Sequence, residues 1–331
     1  MKHNRRNFLA TTTMGLVGAG LATILPGFVN SGPARKAKPY KLALSQFSLA
    51  SQFWTKQLDP LDFPKKTITT FGITGLDYCS MFFADKAKDT NYLNELKKRS
   101  EDNGCYNLRI MIDGEGVLGD LNNNIRTKAV ENHYKWIDAA ATLGCPMIRV
   151  NVEGEGDPRE VAKAAMESLN ALIDYGRKTN IDVIVENHVG ISCNGAWLAN
   201  VMKEMNNPHC GTLADFGNFC INRTKPPTND IAGWMQSKCL EEYDRYKGIR
   251  ELMPYAKGVH AKTHVFDANG NDTETDFAKM FSIIKDSGYT GWISVEYEGG
   301  LIKMYTKNDK YLDDDAGVLA TKRLIDKVET A

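Results

Sequence analysis

Short apolar runs alternate with longer amphipathic segments from about residue 40 to the end of the chain. The runs are rich in Val, Ile and Leu and show little polar alternation, which is typical of strands covered on both faces. We therefore predict eight β-strands, at residues 41–48, 75–80, 107–113, 147–154, 182–188, 211–218, 258–266 and 292–299.

The segments between these runs repeat their apolar residues at about the helical period of 3.6 residues. Pro158 suits the first turn of a helix, and Gly288 suits the position just after a helix. The clearest predicted helices span residues 123–144, 158–179, 276–288 and 315–330. Strand and helix thus alternate along the chain.

Eight strand–helix units in about 290 residues match the size of a closed (β/α)8 TIM barrel. The alternative is an open, doubly wound sheet, which would carry a phosphate-binding loop after an early strand. No P-loop lysine motif is present. Because no linker or change in composition follows residue 40, we predict a single α/β domain, a TIM barrel over residues 40–331.

The first 35 residues are distinct from this pattern. Arg5 and Arg6 stand in a charged head, and a run of small and apolar residues follows them. The segment resembles a twin-arginine export signal that is removed on export, which implies the twin-arginine export machinery as a partner and a periplasmic or otherwise exported bacterial location. The alternative is a membrane anchor, but the Gly- and Thr-rich run is poorly suited to a stable span.

Charge and cysteine content narrow the possibilities further. Lys plus Arg and Asp plus Glu each number 41, so a formal net charge of zero argues against nucleic acid as a partner and favours a small neutral substrate. Seven cysteines, an odd number without paired spacing, do not indicate a disulfide framework. We expect them to be buried free thiols.

Ionisable residues lie at the ends of the last four predicted strands, where a TIM barrel places its active site. They are Glu186 and His188, Asp215, the set His260, Lys262 and His264, and finally Glu296 and Glu298. Buried carboxylates are rare unless they are paired or bind a metal. A site of carboxylates and imidazole suits a divalent metal ion, namely Mn²⁺, Mg²⁺, Co²⁺ or Zn²⁺.

Four short motifs carry a resemblance to a known family. "VENHVG", "TLADFGNF", "GVHAKTH" and "SVEYEG" occur in this order on the fifth to eighth predicted strands. Together they resemble the xylose isomerase-like TIM-barrel superfamily, which includes sugar isomerases, epimerases and apurinic endonucleases. The resemblance implies the metal ligands Glu186, Asp215, His260 and Glu296. It also implies that Glu186 and Glu296 face opposite sides of a sugar and transfer protons.

We therefore expect a divalent-metal-dependent sugar isomerase or epimerase that transfers a proton at a carbon next to a carbonyl, through an enediolate. Lys262 would stabilise the developing oxyanion. An endonuclease is disfavoured, because those relatives hold three zinc ions and need more than the six histidines of this chain.

Further polar and aromatic residues near the predicted strand ends are expected to bind the substrate. Residues 220–238 lack clear periodicity, so we predict a lid-like loop there. The expected substrate-binding residues are His188, Asn151, Glu153, Glu298 and Trp54, with Phe47 and Phe83 also lining the pocket.

Two other functions remain open at this stage. The same metal and carboxylates would serve a lyase or hydrolase that acts on 3-keto-glycosides and expels the substituent at C1. A sugar-binding protein without catalysis is the other alternative, although four ligand positions argue against it. The sequence leaves the oligomeric state open, a homo-oligomer included.

Overall fold

Eight parallel strands close into a barrel in a computed structural model that describes residues 40–228 and 231–330. The strand order around the barrel is β1-β10-β9-β6-β5-β4-β3-β2. The predicted single (β/α)8 TIM barrel is thus confirmed, and the predicted export signal lies outside the described residues. The barrel strands are β1 Lys41–Ser45, β2 Gly75–Cys79, β3 Tyr106–Met111, β4 Met147–Val150, β5 Asp182–Glu186, β6 Cys210–Asp215, β9 Ala256–Thr263 and β10 Trp292–Tyr297.

Helices connect the strands and cover the outside of the barrel. Side-chain caps and glycines set the helix ends: the Asn122 side chain accepts hydrogen bonds from the first turn of one helix, and Gly144 ends that helix with a φ of 82°. The helices are α1 Ala50–Trp54, α2 Phe63–Phe71, α3 Thr90–Asp102, α4 Asn123–Leu143, α5 Pro158–Gly176, α6 Gly195–Met205, α7 Ile231–Gln236, α8 Arg245–Leu252, α9 Phe277–Asp286, α10 Gly299–Thr306 and α11 Asp314–Thr330.

The main apolar core lies between the strands and the surrounding helices. Trp136 of α4 is fully buried and packs edge-on against Phe83, with 5.5 Å between the ring centroids. Phe83 therefore belongs to the core, contrary to its predicted place in the pocket. Among the described residues, no helix combines the length and the apolar character needed to cross a membrane.

Residues 220–223 and 239–242 form a small antiparallel hairpin, where the sequence analysis predicted a loop without regular structure over residues 220–238. Strands β7 Cys220–Arg223 and β8 Cys239–Glu242 pair with each other, and α7 lies between them in the chain. A disulfide joins Cys220 to Cys239, so the expectation that all cysteines are free thiols is wrong for these two. The odd cysteine count could not reveal this pair, because strand pairing brings the two residues together. The five other cysteines are free, and four of them are buried.

Reduction of this disulfide should loosen the hairpin and leave the barrel intact. The bond closes a segment with a sequence separation of 19, and a loop of that size is stabilised by roughly 3 kcal/mol in the chain-entropy account. Hydrogen exchange of residues 220–242 should therefore accelerate in the Cys220→Ser, Cys239→Ser variant, while exchange in the barrel strands stays unchanged. Cys105→Ser, at a free half-buried thiol, is the matched control. Unchanged exchange in the hairpin would contradict the prediction.

A buried carboxyl group ties α11 to α1 at the closure of the barrel. The Asp314 side chain is 2% exposed. Its Oδ2 accepts hydrogen bonds from Ser51 Oγ at 2.7 Å and from the Gln52 amide at 3.2 Å. Burial raises the pKa of Asp314 from 3.8 to about 6, although both hydrogen bonds lower it.

This raised pKa predicts that Asp314→Asn stabilises the protein at neutral and alkaline pH. The pKa of Asp314 is higher in the folded than in the unfolded protein, so its ionisation lowers the free energy of unfolding. This loss is absent below about pH 4 and complete above about pH 6. A shift of about two units corresponds to roughly 3 kcal/mol. The free energy of unfolding of the variant, relative to wild type, should therefore rise by about that amount between pH 4 and pH 8 in urea titrations. Asp313→Asn, with a side chain 82% exposed, should show no such rise.

Candidate metal centre

Four ionisable side chains from neighbouring strands meet at the carboxyl end of the barrel. Glu186 and Asp215 are the last residues of β5 and β6, while His260 and Glu296 lie within β9 and β10. These strands are consecutive around the barrel. All four side chains are buried, and one potential ligand atom from each lies within 4.8 Å of the others. The structure thus brings together the four residues singled out in the sequence.

The imidazole of His260 faces the three carboxylates through one nitrogen. Nδ1 lies 3.0 Å from Glu296 Oε2, 3.5 Å from Glu186 Oε1 and 3.9 Å from Asp215 Oδ2. A histidine that coordinates a metal does so through a single ring nitrogen. Nδ1 is therefore the nitrogen that would face a cation in this cluster.

The donor set fits a hard divalent cation. Asp215 Oδ1 accepts hydrogen bonds from the backbone amides of Gly217 and Asn218, both at 2.8 Å. Asp215 Oδ2 is buried and accepts no hydrogen bond from any described residue. A buried carboxylate oxygen without a donor is unfavourable unless a cation satisfies it. Three carboxylates and one imidazole suit Mn²⁺, Mg²⁺, Co²⁺ or Zn²⁺, so these residues could hold such an ion.

Positive side chains balance the carboxylates of the cluster. Burial raises the pKa of Asp215 to about 8, since the opposing effect of Lys262 is smaller. Burial disfavours the charged ring of His260, but the charge of Glu296 and the hydrogen bonds to Asp77, Glu186 and Glu296 together outweigh it and hold the pKa of His260 well above its ordinary value. Positive charge thus stabilises the carboxylates of the cluster, and a bound cation would act in the same sense.

Lys262 lies inside the cluster, as its position in the strand suggested. Its Nζ is 2.8 Å from Glu298 Oε1, 3.3 Å from Glu296 Oε2 and 3.5 Å from Asp215 Oδ2. It also donates to Asn218 Oδ1 at 3.1 Å. An ammonium group held among these carboxylates is placed to attract an oxygen that gains negative charge at the site.

Arg149 of β4 is a site residue that the sequence analysis missed. Its Nε lies 2.8 Å from Glu186 Oε2, and its Nη1 lies 2.8 Å from Asp113 Oδ1. Burial opposes ionisation of Glu186, but the guanidinium of Arg149 together with the nearby histidines His260 and His188 outweighs it and lowers the pKa of Glu186. A charged residue inside the apolar run "MIRVNV" was the available signal. Arg149 keeps Glu186 ionised and fixes its orientation.

A second missed residue, Asp77 of β2, lies behind His260. Its Oδ2 is 3.3 Å from His260 Nε2, and its Oδ1 accepts from Arg109 Nε at 2.8 Å. Ser294 also donates to Asp77. A carboxylate that accepts from one ring nitrogen fixes the ring and leaves the other nitrogen for a metal. Asp77 therefore orients Nδ1 of His260 toward the cluster.

The predicted substrate-binding residues occupy the same end of the barrel at different distances from the cluster. Glu298 contacts Lys262 and also lies 3.3 Å from His264 Nε2. Asn151 donates to Asp113 at 2.9 Å, and both line a cavity of about 290 Å³ together with Glu153. The loop beside this cavity, residues 114–119, has the G-x-G-x-x-G spacing, but it follows β3 of a closed barrel and α4 begins only at residue 123.

Two of the predicted residues differ in their surroundings. His188 lies two residues after the end of β5 and is half-buried, and its Nδ1 is buried without a hydrogen-bond partner among the described residues. Trp54 packs in an aromatic cluster with Phe47 and Phe82, at centroid distances of 5.9 Å and 5.5 Å.

Three solved structures with the same fold are named as sugar epimerases. D-allulose 3-epimerase from Methylomonas sp. is 14% identical, with a TM-score of 0.61 over 87% of this chain and 98% of that one. D-psicose 3-epimerase from Clostridium cellulolyticum H10 is 14% identical, with a TM-score of 0.61 over 87% and 99%. The 3-keto-D-glucoside 4-epimerase from E. coli is 14% identical, with a TM-score of 0.54 over 88% and 100%.

At these identities the structural likeness establishes the fold alone. No curated protein matches the sequence. The profile of one protein family, described as "Xylose isomerase-like TIM barrel", matches residues 71–322, which is most of the barrel. The chain belongs to the xylose isomerase-like TIM barrel family.

Proposed function

We propose that the protein is a divalent-metal-dependent sugar isomerase or epimerase. The observation that carries the proposal is the convergence of Glu186, Asp215, His260 and Glu296 within 4.8 Å, buried at the end of the barrel. The names of the structural neighbours, which are epimerases of allulose, psicose and a keto-glucoside, agree with it. Four converging residues that could hold a metal ion argue against a site that only binds a sugar.

Glu186 and Glu296 are the proposed proton-transfer groups. A sugar carbon next to a carbonyl loses its proton to one carboxylate and regains a proton from the other on the opposite face. A bound divalent ion would polarise the carbonyl and so lower the cost of removing that proton. Arg149 holds Glu186 in place, Ser45 Oγ donates to Glu296 Oε1 at 2.8 Å, and Lys262 attracts the oxygen that gains charge.

The substrate proposed is an uncharged sugar. The cavity beside the cluster carries Asp113, Glu115 and Glu153, and the guanidinium of Arg149 is already engaged by two carboxylates. Acidic walls bind hydroxyl donors and repel phosphate. His188, Asn151, Glu153 and Glu298 are the proposed hydroxyl-binding residues.

A lyase that acts on 3-keto-glycosides is the second proposal. The likeness to a protein named as a 3-keto-D-glucoside 4-epimerase motivates it. Removal of the proton at C2 of such a substrate leaves an electron pair that expels the C1 substituent, so one carboxylate takes the proton and the leaving group departs with the bonding electrons.

Export through the twin-arginine machinery is also proposed. The Cys220–Cys239 disulfide supports an oxidising compartment, where such bonds persist. Replacement of Arg5 and Arg6 by lysine should retain the protein in the cytoplasm on cell fractionation.

The test of the proposed reaction is proton exchange in D₂O. Protein freed of metal and reloaded with Mn²⁺, Mg²⁺, Co²⁺ or Zn²⁺ is incubated with D-allulose, D-tagatose, D-ribulose and a methyl 3-keto-glucoside. Deuterium next to the carbonyl, with a new epimer or isomer, supports the main proposal. Release of methanol from the glycoside supports the lyase. If neither deuterium exchange nor methanol release occurs with any of these sugars under any of the metals, both reactions are rejected.

A further inference from the structure

Gln46 is a fully buried amide that stands directly after β1, at the end of the barrel that holds the metal cluster. Its neighbour Ser45 donates to Glu296, so the chain at this point borders the cluster. Gln46 Oε1 accepts a hydrogen bond from the backbone amide of Cys79 at 2.8 Å, at the end of β2. The Cys79 thiol in turn lies 3.9 Å from Asp113, which contacts Arg149.

The orientation of the Gln46 amide follows from its partner. A backbone N–H can only donate, so the Gln46 atom that faces Cys79 N must be the oxygen. The NH₂ group is then the free end. Gln46 Nε2 is buried and has no hydrogen-bond partner among the described residues.

An unpartnered buried donor of this kind is costly. Leaving it unsatisfied costs about 1–3 kcal/mol, and most buried donors in native proteins have a partner, so a bound ligand group would remove a penalty here. Gln52, six residues further along, shows the usual outcome, since its Nε2 donates to Asp315 Oδ1 at 2.7 Å. Gln46 therefore differs from a glutamine that only stabilises the fold.

A second unpartnered nitrogen lies across the barrel mouth. His188 Nδ1 is buried without a partner, and His188 follows β5. β1 and β5 are four strands apart in the closed order of eight, so they stand opposite each other. The two residues with unsatisfied nitrogens thus lie on opposite sides of the barrel mouth.

We propose that Gln46 is a substrate-binding residue whose Nε2 donates a hydrogen bond to an uncharged oxygen of the sugar. The inference rests on the proposed function and extends its binding site to the β1 side of the barrel. An amide is neutral, so it selects a hydroxyl or carbonyl oxygen and gives no advantage to phosphate. With His188 on the opposite side, it fixes the two ends of a sugar that lies over the cluster.

The experiment compares Gln46→Met, Gln46→Glu and the matched control Gln52→Met. D-sorbitol serves as a probe that offers sugar hydroxyls but cannot react, and its affinity for Mn²⁺-loaded protein is measured by calorimetry. Gln46→Met should weaken D-sorbitol binding about five- to tenfold and raise KM by the same factor, with kcat changed less than threefold. Gln46→Glu keeps an oxygen that accepts from Cys79 N–H but removes the NH₂ donor. It therefore tests the role of Nε2 even if Gln46→Met does not fold. Metal content should be unchanged in all variants, and Gln52→Met should leave binding and KM as in wild type.

The outcomes separate this inference from the proposed function. Weakened D-sorbitol binding in the Gln46 variants, without turnover by wild type, supports Gln46 and rejects the proposed reaction. If the wild type converts a sugar, and both Gln46 variants keep wild-type D-sorbitol affinity and KM, the assignment of Gln46 is wrong and the proposed function stands. Absence of both D-sorbitol binding and turnover in wild type overturns both. A crystal structure with D-sorbitol should place a sugar oxygen within hydrogen-bonding distance of Nε2, and an ordered water there instead would also overturn the assignment.

Discussion

Replacement of either Glu186 or Glu296 by glutamine should lower turnover at least about a thousandfold. Each change removes a metal ligand and a proton-transfer group together. The amide would also place NH₂ where the cluster needs an acceptor: Glu186 Oε2 faces Arg149 Nε, and Glu296 Oε1 accepts from Ser45. A carboxylate accepts through two oxygens, whereas the glutamine that replaces it has one oxygen and one NH₂ group, so one of the two acceptor positions is lost.

Steady-state turnover and metal content together test this expectation. We expect metal to be bound more weakly, with some occupancy retained at high concentration because three ligands remain. Glu155→Gln, an exposed carboxylate two residues beyond Glu153, should behave as wild type. Full activity in both the Glu186 and the Glu296 variant would show that these residues are not the proton-transfer groups. Wild-type protein that loses its metal during purification is reloaded with metal before the measurement.

Asp77→Asn should have the largest effect on stability, a loss of about 3–5 kcal/mol in the free energy of unfolding. Asp77 and Arg109 are 0% and 1% exposed, and their ion pair at 2.8 Å has no access to water. The substitution leaves the guanidinium of Arg109 buried without its counter-charge. Arg109 Nη1 already lacks a partner among the described residues, and the remaining contact, from Nη2 to Ser294 Oγ at 3.4 Å, is with an uncharged group.

Urea unfolding at pH 7 measures this loss, with Asp62→Asn as the control. Asp62 also pairs with an arginine at 2.7 Å, but the two side chains are 55% and 37% exposed, so its loss should cost less than about 1 kcal/mol. The affinity of the folded Asp77 variant for metal should fall by about 10- to 100-fold, because His260 loses the acceptor for Nε2. A variant as stable as wild type would show that the buried pair contributes nothing.

The barrel could be predicted because its signal is local and repeated. The run at residues 182–188, for example, contains the observed strand Asp182–Glu186 and extends two residues past it. This extension falls where the strand ends in functional residues, because Asn187 and His188 follow the apolar run without pairing in the sheet. The predicted helix at 158–179 likewise contains α5, which ends at Gly176.

The contacts behind the cluster could not be predicted because they join distant parts of the chain. Asp77 and His260 are 183 residues apart, and nothing near either residue identifies the other as its partner. Arg149 and Asp77 stand within apolar runs, where their charges were visible but their partners were not. The same holds for Cys220 and Cys239, whose proximity depends on the β7–β8 pairing.

The distribution of ligands around the barrel has a consequence for how the protein could change. All four come from the contiguous strands β5, β6, β9 and β10, which form one half of the wall. The loops after β1 to β4 contribute none of the four, so new side chains or insertions there would alter which molecule is accepted without dismantling the cation site. Diversification and laboratory evolution of selectivity should therefore concentrate on that semicircle.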